Sequence, residues 1–217
     1  MTPSWIFYWR YPQATWASHV RGMLQRAGLT EGQAVVDAPC GDGIVSWWLE
    51  ARLRSPMEAW DLDTPWLATA RRRLRRTTVR TCDLRTVEVA AGDDAWVLVN
   101  SLYCLPDVEA IVARMRPRFR HVVGVFPRLD HRNHACFLRR NPGYATASPM
   151  DEDGTLRLFE RQGYTLREKR EVGAIAHHCV PDWMPRRLVT RLLGAVDPLV
   201  SLRGGRHPSW AARFERG

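Results

Sequence analysis

Residues 34–43 read Ala-Val-Val-Asp-Ala-Pro-Cys-Gly-Asp-Gly, and they indicate the fold class of the whole chain. The apolar run from Ala34 to Ala38 predicts a short buried strand, and the turn after it contains Gly41 and Gly43. Apolar residues at helical spacing from Ile44 to about Arg54 predict a helix directly after the turn. A strand, a glycine-containing turn and a helix in this order are typical of a parallel α/β sheet.

The same alternation continues toward the C terminus. Further strands are predicted at residues 57–60, 79–82, 95–100 and 122–125, with helices at 66–76 and 107–116. Strands that recur about every 20 to 25 residues with helical crossovers indicate right-handed βαβ units. Beyond residue 126 the pattern predicts a long loop over 128–148, helices at 151–162 and 185–193, and strands at 164–172 and 210–214. We therefore expect a doubly wound, mostly parallel seven-stranded sheet with helices on both faces.

The length of 217 residues suits a single domain. Residues 31–126 form its predicted cofactor-binding core, and residues 127–217 its substrate-side loops, small C-terminal cap and last strands. Residues 1–30 precede the first strand and carry six aromatic side chains within sixteen residues. They are predicted to form an N-terminal arm, either a lid over the site or an element packed on the core.

Composition favours a reduced, cytoplasmic protein. No run of about 18 apolar residues is present, so no membrane span is expected, and the N-terminal residues lack the order of a signal peptide. The five cysteines are widely spread and form no C-x-x-C pair, which favours reduced thiols.

The formal charge of +9 is weak support for a nucleic-acid partner. Lys169 is the only lysine, and the other 31 basic residues are arginines. Such a bias is typical of GC-rich coding sequence, which supplies arginine wherever a cation is tolerated. The arginines of residues 71–76 are accordingly expected to form a solvated helix face.

Polar residues end four of the predicted strands. Gly41 and Gly43 follow the first strand, and the other three strands end at Asp61, Asp83 and Asn100. Ligands of open α/β sheets bind at the carboxyl ends of the strands. Glycines allow close backbone approach, and a carboxylate can accept two hydrogen bonds from a ribose diol. Together these residues predict a nucleoside pocket.

The ligand of this pocket is not expected to be a dinucleotide. A dinucleotide fingerprint needs glycine or alanine at the position that Ser46 occupies. The acids Asp37 and Asp42 would also repel a pyrophosphate, whereas they would attract the ammonium and sulfonium of S-adenosyl-L-methionine. Electrostatics therefore favours S-adenosylmethionine over NAD.

At this point the sequence resembles the class I S-adenosylmethionine-dependent methyltransferases. Residues 35–43 resemble their first motif, with Pro39 where the commonest form has glycine, and residues 59–71, 82–84 and 94–102 resemble the next three in order. The resemblance covers about residues 16–126. It implies that Asp61 binds the ribose, that Leu62 packs on adenine and that residues 82–84 contact adenine. It implies binding of S-adenosyl-L-methionine, or S-adenosyl-L-homocysteine as product, by the following residues: Asp37, Pro39, Gly41, Gly43, Asp61, Leu62, Cys82, Asp83, Leu84 and Asn100.

The sequence indicates less about the residues that bind the methyl acceptor, because methyl transfer needs alignment of the reactants more than it needs a dedicated base. Tyr103, His131 and His134 are the candidate catalytic residues, since a neutral histidine could accept a proton from the acceptor. The substrate-binding candidates are Tyr8, Tyr11, Arg128 and Arg132. The histidines and cysteines have no standard structural-zinc spacing, so no metal is expected.

The leading interpretation is a methyltransferase for a small-molecule substrate in bacterial specialised metabolism. One alternative keeps the fold but catalyses cyclisation, such as aziridine closure, with the arginine-rich 128–140 segment receiving an anionic leaving group. A nucleic-acid methyltransferase is less favoured, because residues 100–103 lack the two prolines of the amino-methylating motif. A fourth interpretation is that this chain is a non-catalytic partner subunit, and a protein partner or an oligomer also stays open.

Overall fold

The computed structural model describes residues 4–30, 32–140, 150–172 and 207–217, and side chains from residue 15 onward except those of residues 132, 133, 137 and 140. The helices are α1 (Ser4–Ala27), α2 (Ile44–Glu50), α3 (Thr64–Arg73), α4 (Val108–Met115), α5 (Arg132–Arg140) and α6 (Glu152–Arg161), with a short 3-10 helix at Leu102–Cys104. The strands are β1 (Val35–Asp37), β2 (Met57–Asp61), β3 (Thr78–Thr81), β4 (Asp94–Val99), β5 (Phe119–Pro127), β6 (Tyr164–Val172) and β7 (Ser209–Arg216).

The strands form one sheet in the order β3-β2-β1-β4-β5-β7-β6. The first five strands of the chain are parallel, whereas β7 runs antiparallel to both β5 and β6. The predicted seven-stranded, mostly parallel doubly wound sheet is confirmed. Strand order reverses between β1 and β4, so the carboxyl ends of these strands flank the crevice where α/β proteins bind ligands.

One face of the sheet is covered by α1 and α2. In α1, four buried side chains recur at helical spacing: Trp16, Val20, Met23 and Leu24. They pack on one face of β1, β4 and β5, together with the buried residues of α2. Burial of each such side chain contributes about 1.5–3 kcal/mol, so residues 15–27 belong to the core of the domain. Of the two alternatives for the N-terminal arm, packing on the core describes these residues.

The opposite face is covered by α4 and α6. Alternate strand residues point to this side, since Val35 lies in the first cluster and Val36 in the second. Large aromatic side chains dominate the second cluster: Trp96, Phe119, Phe126, Phe159, Trp210 and Phe214. The rings of Phe159 and Phe214 stack with centroids 4.4 Å apart. β7 is thus bound to the domain by its side chains as well as by its antiparallel pairing.

Several boundaries differ from the sequence predictions. The predicted loop over 128–148 is wrong at residues 132–140, where the chain forms α5; its many arginines and histidines hid the helical pattern. Helix α3 ends at Arg73, before the predicted residue 76, because residues 75–77 turn to bind Glu50. Strands β5 and β7 are longer than predicted. The predicted helix at 185–193, and the cap with it, lie outside the described residues.

The cysteines divide into two chemical states. Cys40, Cys82 and Cys104 are free thiols, whereas Cys136 is disulfide-bonded. The expectation that all five thiols are reduced is therefore wrong at Cys136. Within the described ranges, no helix is both long and apolar enough to cross a membrane.

Candidate active site

The turn after β1 is held from the strands on both sides. From β2, the carbonyl of Trp60 accepts the N–H of Cys40 at 2.8 Å. From β4, the indole Nε1–H of the buried Trp96 donates to the carbonyl of Ala38 at 2.7 Å. The peptide between Ala38 and Pro39 is cis. The path of residues 38–43 is therefore fixed by tertiary hydrogen bonds.

The two glycines of this turn have different structural roles. Both have positive φ, +54° at Gly41 and +72° at Gly43, which favours glycine. A Cβ on Gly43 would lie 2.9 Å from the Cβ of Ala70, so this glycine allows α3 to pack on the start of α2. A Cβ on Gly41 would meet no atom within 4 Å. The open side of Gly41 is thus where a ligand can approach the backbone.

Asp61 ties the end of β2 to the glycine turn. Its Oδ2 accepts the N–H of Gly41 at 2.7 Å, and its Oδ1 accepts the N–H of Asp63 at 2.9 Å. The residue is 9% exposed. An ionised carboxylate offers about four lone-pair directions, so two remain for further donors such as hydroxyls. The predicted ribose acid therefore also has a role that sequence reasoning missed, as an anchor for the turn.

Asp37 lies at the end of β1 with its carboxylate fully buried. Its Oδ2 accepts the hydroxyl of Ser46 at 2.6 Å. Burial raises the pKa of Asp37 to about 7, with help from the nearby carboxylates of Asp61 and Asp42 and against the hydrogen bond from Ser46. Ser46, the residue that departs from a dinucleotide fingerprint, is thus the partner of the first-motif acid.

Asp42 is neutralised by an arginine from α3. Arg73 donates to the Asp42 carboxylate at 2.8 Å and to its carbonyl at 2.6 Å. The Oδ1 of Asp42 also accepts the N–H of Ile44 at 3.2 Å. The expectation that all arginines of 71–76 form a solvated face is therefore wrong at Arg73. Of the two acids expected to attract a cationic cofactor, Asp37 is the one without a paired cation among the described residues.

The predicted adenine-contacting residues lie at the ends of β2 and β3. Leu62 is 54% exposed, which is unusual for a leucine next to a buried strand and leaves its side chain available to a base. Asp83 forms a forked ion pair with Arg85, at 2.7–3.1 Å, and this hydrogen bonding lowers the pKa of Asp83 to about 2. The pair is exposed, so Asp83 can exchange Arg85 for another donor at small cost.

The two neighbours of Asp83 differ from it in burial. Cys82 is half-buried, its N–H donates to the Asp61 carbonyl at 2.8 Å, and burial raises the pKa of its thiol. Leu84 is 5% exposed and belongs to the same hydrophobic cluster as Trp60. The side chain of Leu84 therefore supports the pocket from behind and does not line it.

On the acceptor side, two predicted catalytic residues are brought together. Tyr103 follows β4 and His134 lies in α5, yet their rings meet edge to face with centroids 5.4 Å apart. Both residues are buried, and burial lowers the pKa of His134. The imidazole is consequently neutral at pH 7. His131, the third candidate, is half-buried and its carbonyl accepts the N–H of His134 at 2.9 Å.

Asn100 ends β4 in a left-handed conformation, with φ +54°. Its N–H donates to the carbonyl of Val125 at 2.7 Å, so the chain leaves β4 level with the end of β5. Asparagine tolerates this conformation better than most residues. The segments that carry Tyr103 and His134 therefore start from the same edge of the sheet as Asp37 and Asp61.

Of the predicted substrate-binding residues, only Arg128 has a described side chain. Arg128 forms ion pairs with Glu152 and, at 2.7 Å, with Glu171, which join the end of β5 to α6 and β6. Arg132 begins α5, but its side chain is outside the described residues. The side chains of Tyr8 and Tyr11, on the first half of α1, are outside them as well. No group of three His, Cys, Asp or Glu side chains that could hold a metal ion occurs in the described ranges.

Sequence reasoning missed two residues that shape the site. Trp96 fixes the Ala38 carbonyl, and Arg73 pairs with Asp42. Trp96 is one apolar residue within an apolar strand, and Arg73 is one arginine within an arginine-rich helix. Each residue is of a type that is common in its own element, so only the packing of the neighbouring elements reveals these contacts.

Three solved structures that resemble this chain are methyltransferases. A geranyl diphosphate C-methyltransferase from Streptomyces coelicolor, solved with Mg²⁺, geranyl diphosphate and S-adenosyl-L-homocysteine, has a TM-score of 0.67 at 12% identity, covering 93% of this chain and 80% of its own. The magnesium protoporphyrin IX methyltransferase of Synechocystis, with bound S-adenosyl-L-homocysteine, has 0.61 at 14%, covering 93% and 82%. An S-adenosylmethionine-dependent methyltransferase from Mesorhizobium loti has 0.62 at 16%, covering 91% and 98%.

These likenesses define the class of fold. The chain has the class I S-adenosylmethionine-dependent methyltransferase fold, as the sequence resemblance predicted. No protein-family model matches the sequence, and no curated protein matches it. Identities of 12–16% establish the fold alone, so the activity has to be argued from the site.

Proposed function

We propose that this protein is an S-adenosylmethionine-dependent methyltransferase that acts on a small molecule. The observation that carries the proposal is the joint between Gly41 and Asp61 at the point where strand order reverses. There, the open side of a positive-φ glycine lies next to a carboxylate with unused acceptor capacity. Leu62 adds an exposed apolar side chain to the same joint.

The residues at this joint fit S-adenosylmethionine. Asp61 would hold the ribose hydroxyls, Leu62 would pack on the adenine, and the buried Asp37 carboxylate would favour the amino-acid end, which carries an ammonium. When bound, the cofactor supplies a methyl group on a good leaving group. The chain would then bind the acceptor at the ends of β4 and β5 and align it, which is the main requirement of an in-line displacement.

A role in specialised metabolism is part of the proposal. The geranyl diphosphate and magnesium protoporphyrin IX methyltransferases are named for small-molecule substrates, and this supports a small molecule as the substrate here. The cyclisation alternative stays open, because it depends on arginines of 128–140 that could receive an anionic leaving group, and the structure describes the side chains of only Arg128 and Arg139 among them. Arg128 is paired with two carboxylates, and Arg139 donates to the sulfur of Cys136.

The test is calorimetric titration with S-adenosylmethionine and S-adenosylhomocysteine, on the natural chain and on two matched leucine variants. Leu62 and Leu166 are both exposed leucines, 54% and 40%, so neither substitution to alanine should affect folding. Loss of the apolar contact with adenine should weaken binding in Leu62→Ala by about 10-fold. Leu166→Ala, on the distant edge strand β6, should bind as the natural chain does.

The alternatives give different results. A folded protein that binds neither compound would refute the proposed function. Equal weakening by both variants would place the adenine elsewhere than at Leu62. Binding of the cofactor without its consumption, while a substrate is converted, would favour the cyclisation alternative.

A further inference from the structure

Positive charge is concentrated in the two chain segments that contain α2 and α3. Residues 44–56 and 64–77 hold seven arginines and one acid, Glu50, whereas the whole chain has 32 basic and 23 acidic residues. Outside these segments basic and acidic residues are almost equal in number, so most of the net charge arises here. A preference for arginine codons acts on the whole chain and does not explain this concentration.

Six of these seven arginines have no acidic partner among the described residues. They are exposed, and they are Arg52, Arg54, Arg71, Arg72, Arg75 and Arg76. The seventh, Arg73, is paired with Asp42. Exposed arginines in other parts of the structure do have acidic partners, since Arg120 and Arg167 both pair with Glu215. The unbalanced charge of α2 and α3 therefore faces solvent and is available to an anionic partner.

Four of the six arginines surround the buried carboxylate that ends α2. Arg52 and Arg54 follow Glu50 by two and four residues, and the N–H groups of Arg75 and Arg76 donate to its carboxylate at 3.1–3.3 Å. A crossover helix runs back from the carboxyl edge of a parallel sheet to the amino edge. Residues that follow α2 and α3 thus lie at the amino edge, whereas the candidate cofactor joint lies at the carboxyl edge.

An exposed tryptophan lies on the last turn of α2, beside these arginines. Trp47 is 41% exposed, and its ring contacts that of Trp48 edge to face with centroids 5.3 Å apart. The guanidinium of Arg52 lies over the Trp48 ring, 4.4 Å from its centroid. This part of the surface therefore combines an indole with cations that no carboxylate neutralises. We call Trp47, Arg52, Arg54, Arg75 and Arg76 the α2–α3 surface.

A single-stranded nucleic acid is the partner that matches this composition. It carries a negative charge on each nucleotide, and its unpaired bases stack on aromatic side chains. A protein partner would need an apolar centre within about 800 Å² on each side. Trp47 is the only large exposed apolar side chain of this surface, since the other two in the described structure are Leu62 and Leu166. A membrane would likewise need several apolar side chains to insert.

We propose that the α2–α3 surface binds a single-stranded nucleic acid. Trp47 stacks on a base, and the four arginines contact phosphate groups. Because this surface lies at the edge of the sheet opposite the cofactor joint, the nucleic acid is a bound partner and not the methyl acceptor. The inference goes beyond the proposed function and does not depend on it.

The test measures the fluorescence anisotropy of a labelled oligouridylate of about twelve nucleotides, titrated with the full chain at several salt concentrations. We expect binding that weakens as salt rises, and at least tenfold weaker binding of the same strand in a duplex. The double variant Arg75→Gln, Arg76→Gln loses two phosphate contacts, so the slope of log K against log salt should become shallower by about 1.4.

The matched control is the double variant Arg120→Gln, Arg167→Gln. It loses the same charge, but from exposed arginines that Glu215 neutralises, and it should bind as the natural chain does. Trp47→Leu should weaken binding about tenfold without changing the salt slope, because stacking releases no counterions. Trp47→Phe keeps an aromatic ring and should restore most of the affinity. Circular dichroism verifies that each variant is folded.

Four outcomes would overturn the inference. The first is no binding of the oligonucleotide at low salt by the folded protein, and the second is equal weakening by the two double variants. The third is displacement of the oligonucleotide by polyglutamate at equal charge concentration, which would indicate an acidic protein partner. The fourth is equally tight binding to vesicles of anionic phospholipid, which would indicate a membrane surface. Failure of the proposed function is a separate result, because cofactor binding is measured by calorimetry without nucleic acid.

Discussion

Two buried carboxylates of this protein, Glu50 and Asp61, hold backbone segments in place, and they do so to different degrees. Glu50, at the end of α2, accepts the N–H groups of residues 75, 76 and 77 at 3.1–3.3 Å and the hydroxyl of Thr77 at 2.8 Å. Asp61 accepts only two N–H groups, those of Gly41 and Asp63.

The difference separates a structural carboxylate from a binding one. Four donors already hydrogen-bond to the buried Glu50, so less of its acceptor capacity remains for a ligand. Asp61 keeps about half of its capacity, and it does so at the strand-order reversal beside the open side of Gly41. Unused capacity on a buried acceptor, more than burial or charge, distinguishes the residue that can bind.

The largest expected effect comes from removing the carboxylate of Glu50, which four donors hydrogen-bond. Glu50→Ala would leave the backbone donors of residues 75–77 without their acceptor, and we expect the free energy of unfolding to fall by about 4 kcal/mol. Urea denaturation of the natural chain and the variant measures this. The folded fraction should bind S-adenosylhomocysteine normally. A change below about 1 kcal/mol would contradict the structural role of Glu50.

The same residue predicts a pH dependence. Burial alone would raise the pKa of Glu50, but the hydrogen bonds, led by that from the N–H of Arg76, lower it. The unfolded chain therefore binds the proton more readily than the folded one. This contribution to stability is complete above pH about 4.3 and declines as the pH falls below that value. The acid limb of a stability–pH curve should be flatter in Glu50→Ala.

The second-largest expected effect is a loss of cofactor affinity when Asp61 is substituted. Asp61→Ala should weaken S-adenosylmethionine binding about 100-fold, because it removes the ribose acceptor and releases the N–H of Gly41. Asp63→Ala is the matched control. It loses the cap on the N–H of Trp66, 3.0 Å away, at a cost of about 1 kcal/mol in stability, and its affinity should not change. Calorimetry and thermal unfolding on both variants check this, and equal loss of affinity in the two would contradict it.

The smallest of these effects is a gain in stability. The pKa of Asp37 is raised to about 7, above its unfolded value, so its contribution is favourable at low pH and is lost as the pH rises toward 7. Asp37→Asn should therefore raise the free energy of unfolding by about 2 kcal/mol at pH 8 and by less at pH 5. The asparagine oxygen can still accept the hydroxyl of Ser46.

Denaturation at the two pH values measures the difference, and Asp42→Asn is its control. Asp42 is paired with Arg73, so this variant should not become more stable at pH 8. If Asp37→Asn were destabilised equally at both pH values, the buried carboxylate would be contributing stability in its ionised form, contrary to the cause assigned to it.

Most of the fold could be predicted from the sequence. Short apolar strands such as 95–100 alternate with helices, and this pattern depends on local residue types. The helix α5 could not be predicted so readily, because a segment rich in arginine, histidine and asparagine shows no clear apolar periodicity. Positions of Asp61 and Asp83 at strand ends followed from the same pattern, whereas the pairing of Asp83 with Arg85 depends on a side-chain conformation.

The strand and helix succession, the glycine turn and the acids after the strands can be inferred from the amino-acid sequence alone, because these are local and periodic properties. Which side chains remain available to a ligand depends on the folded arrangement. It pairs Arg73 with Asp42 and Arg128 with Glu152, and it brings Tyr103 to His134 across 31 residues. Hydrogen bonds and ion pairs act over a few ångströms, so availability depends on distances that the chain sets only when it folds.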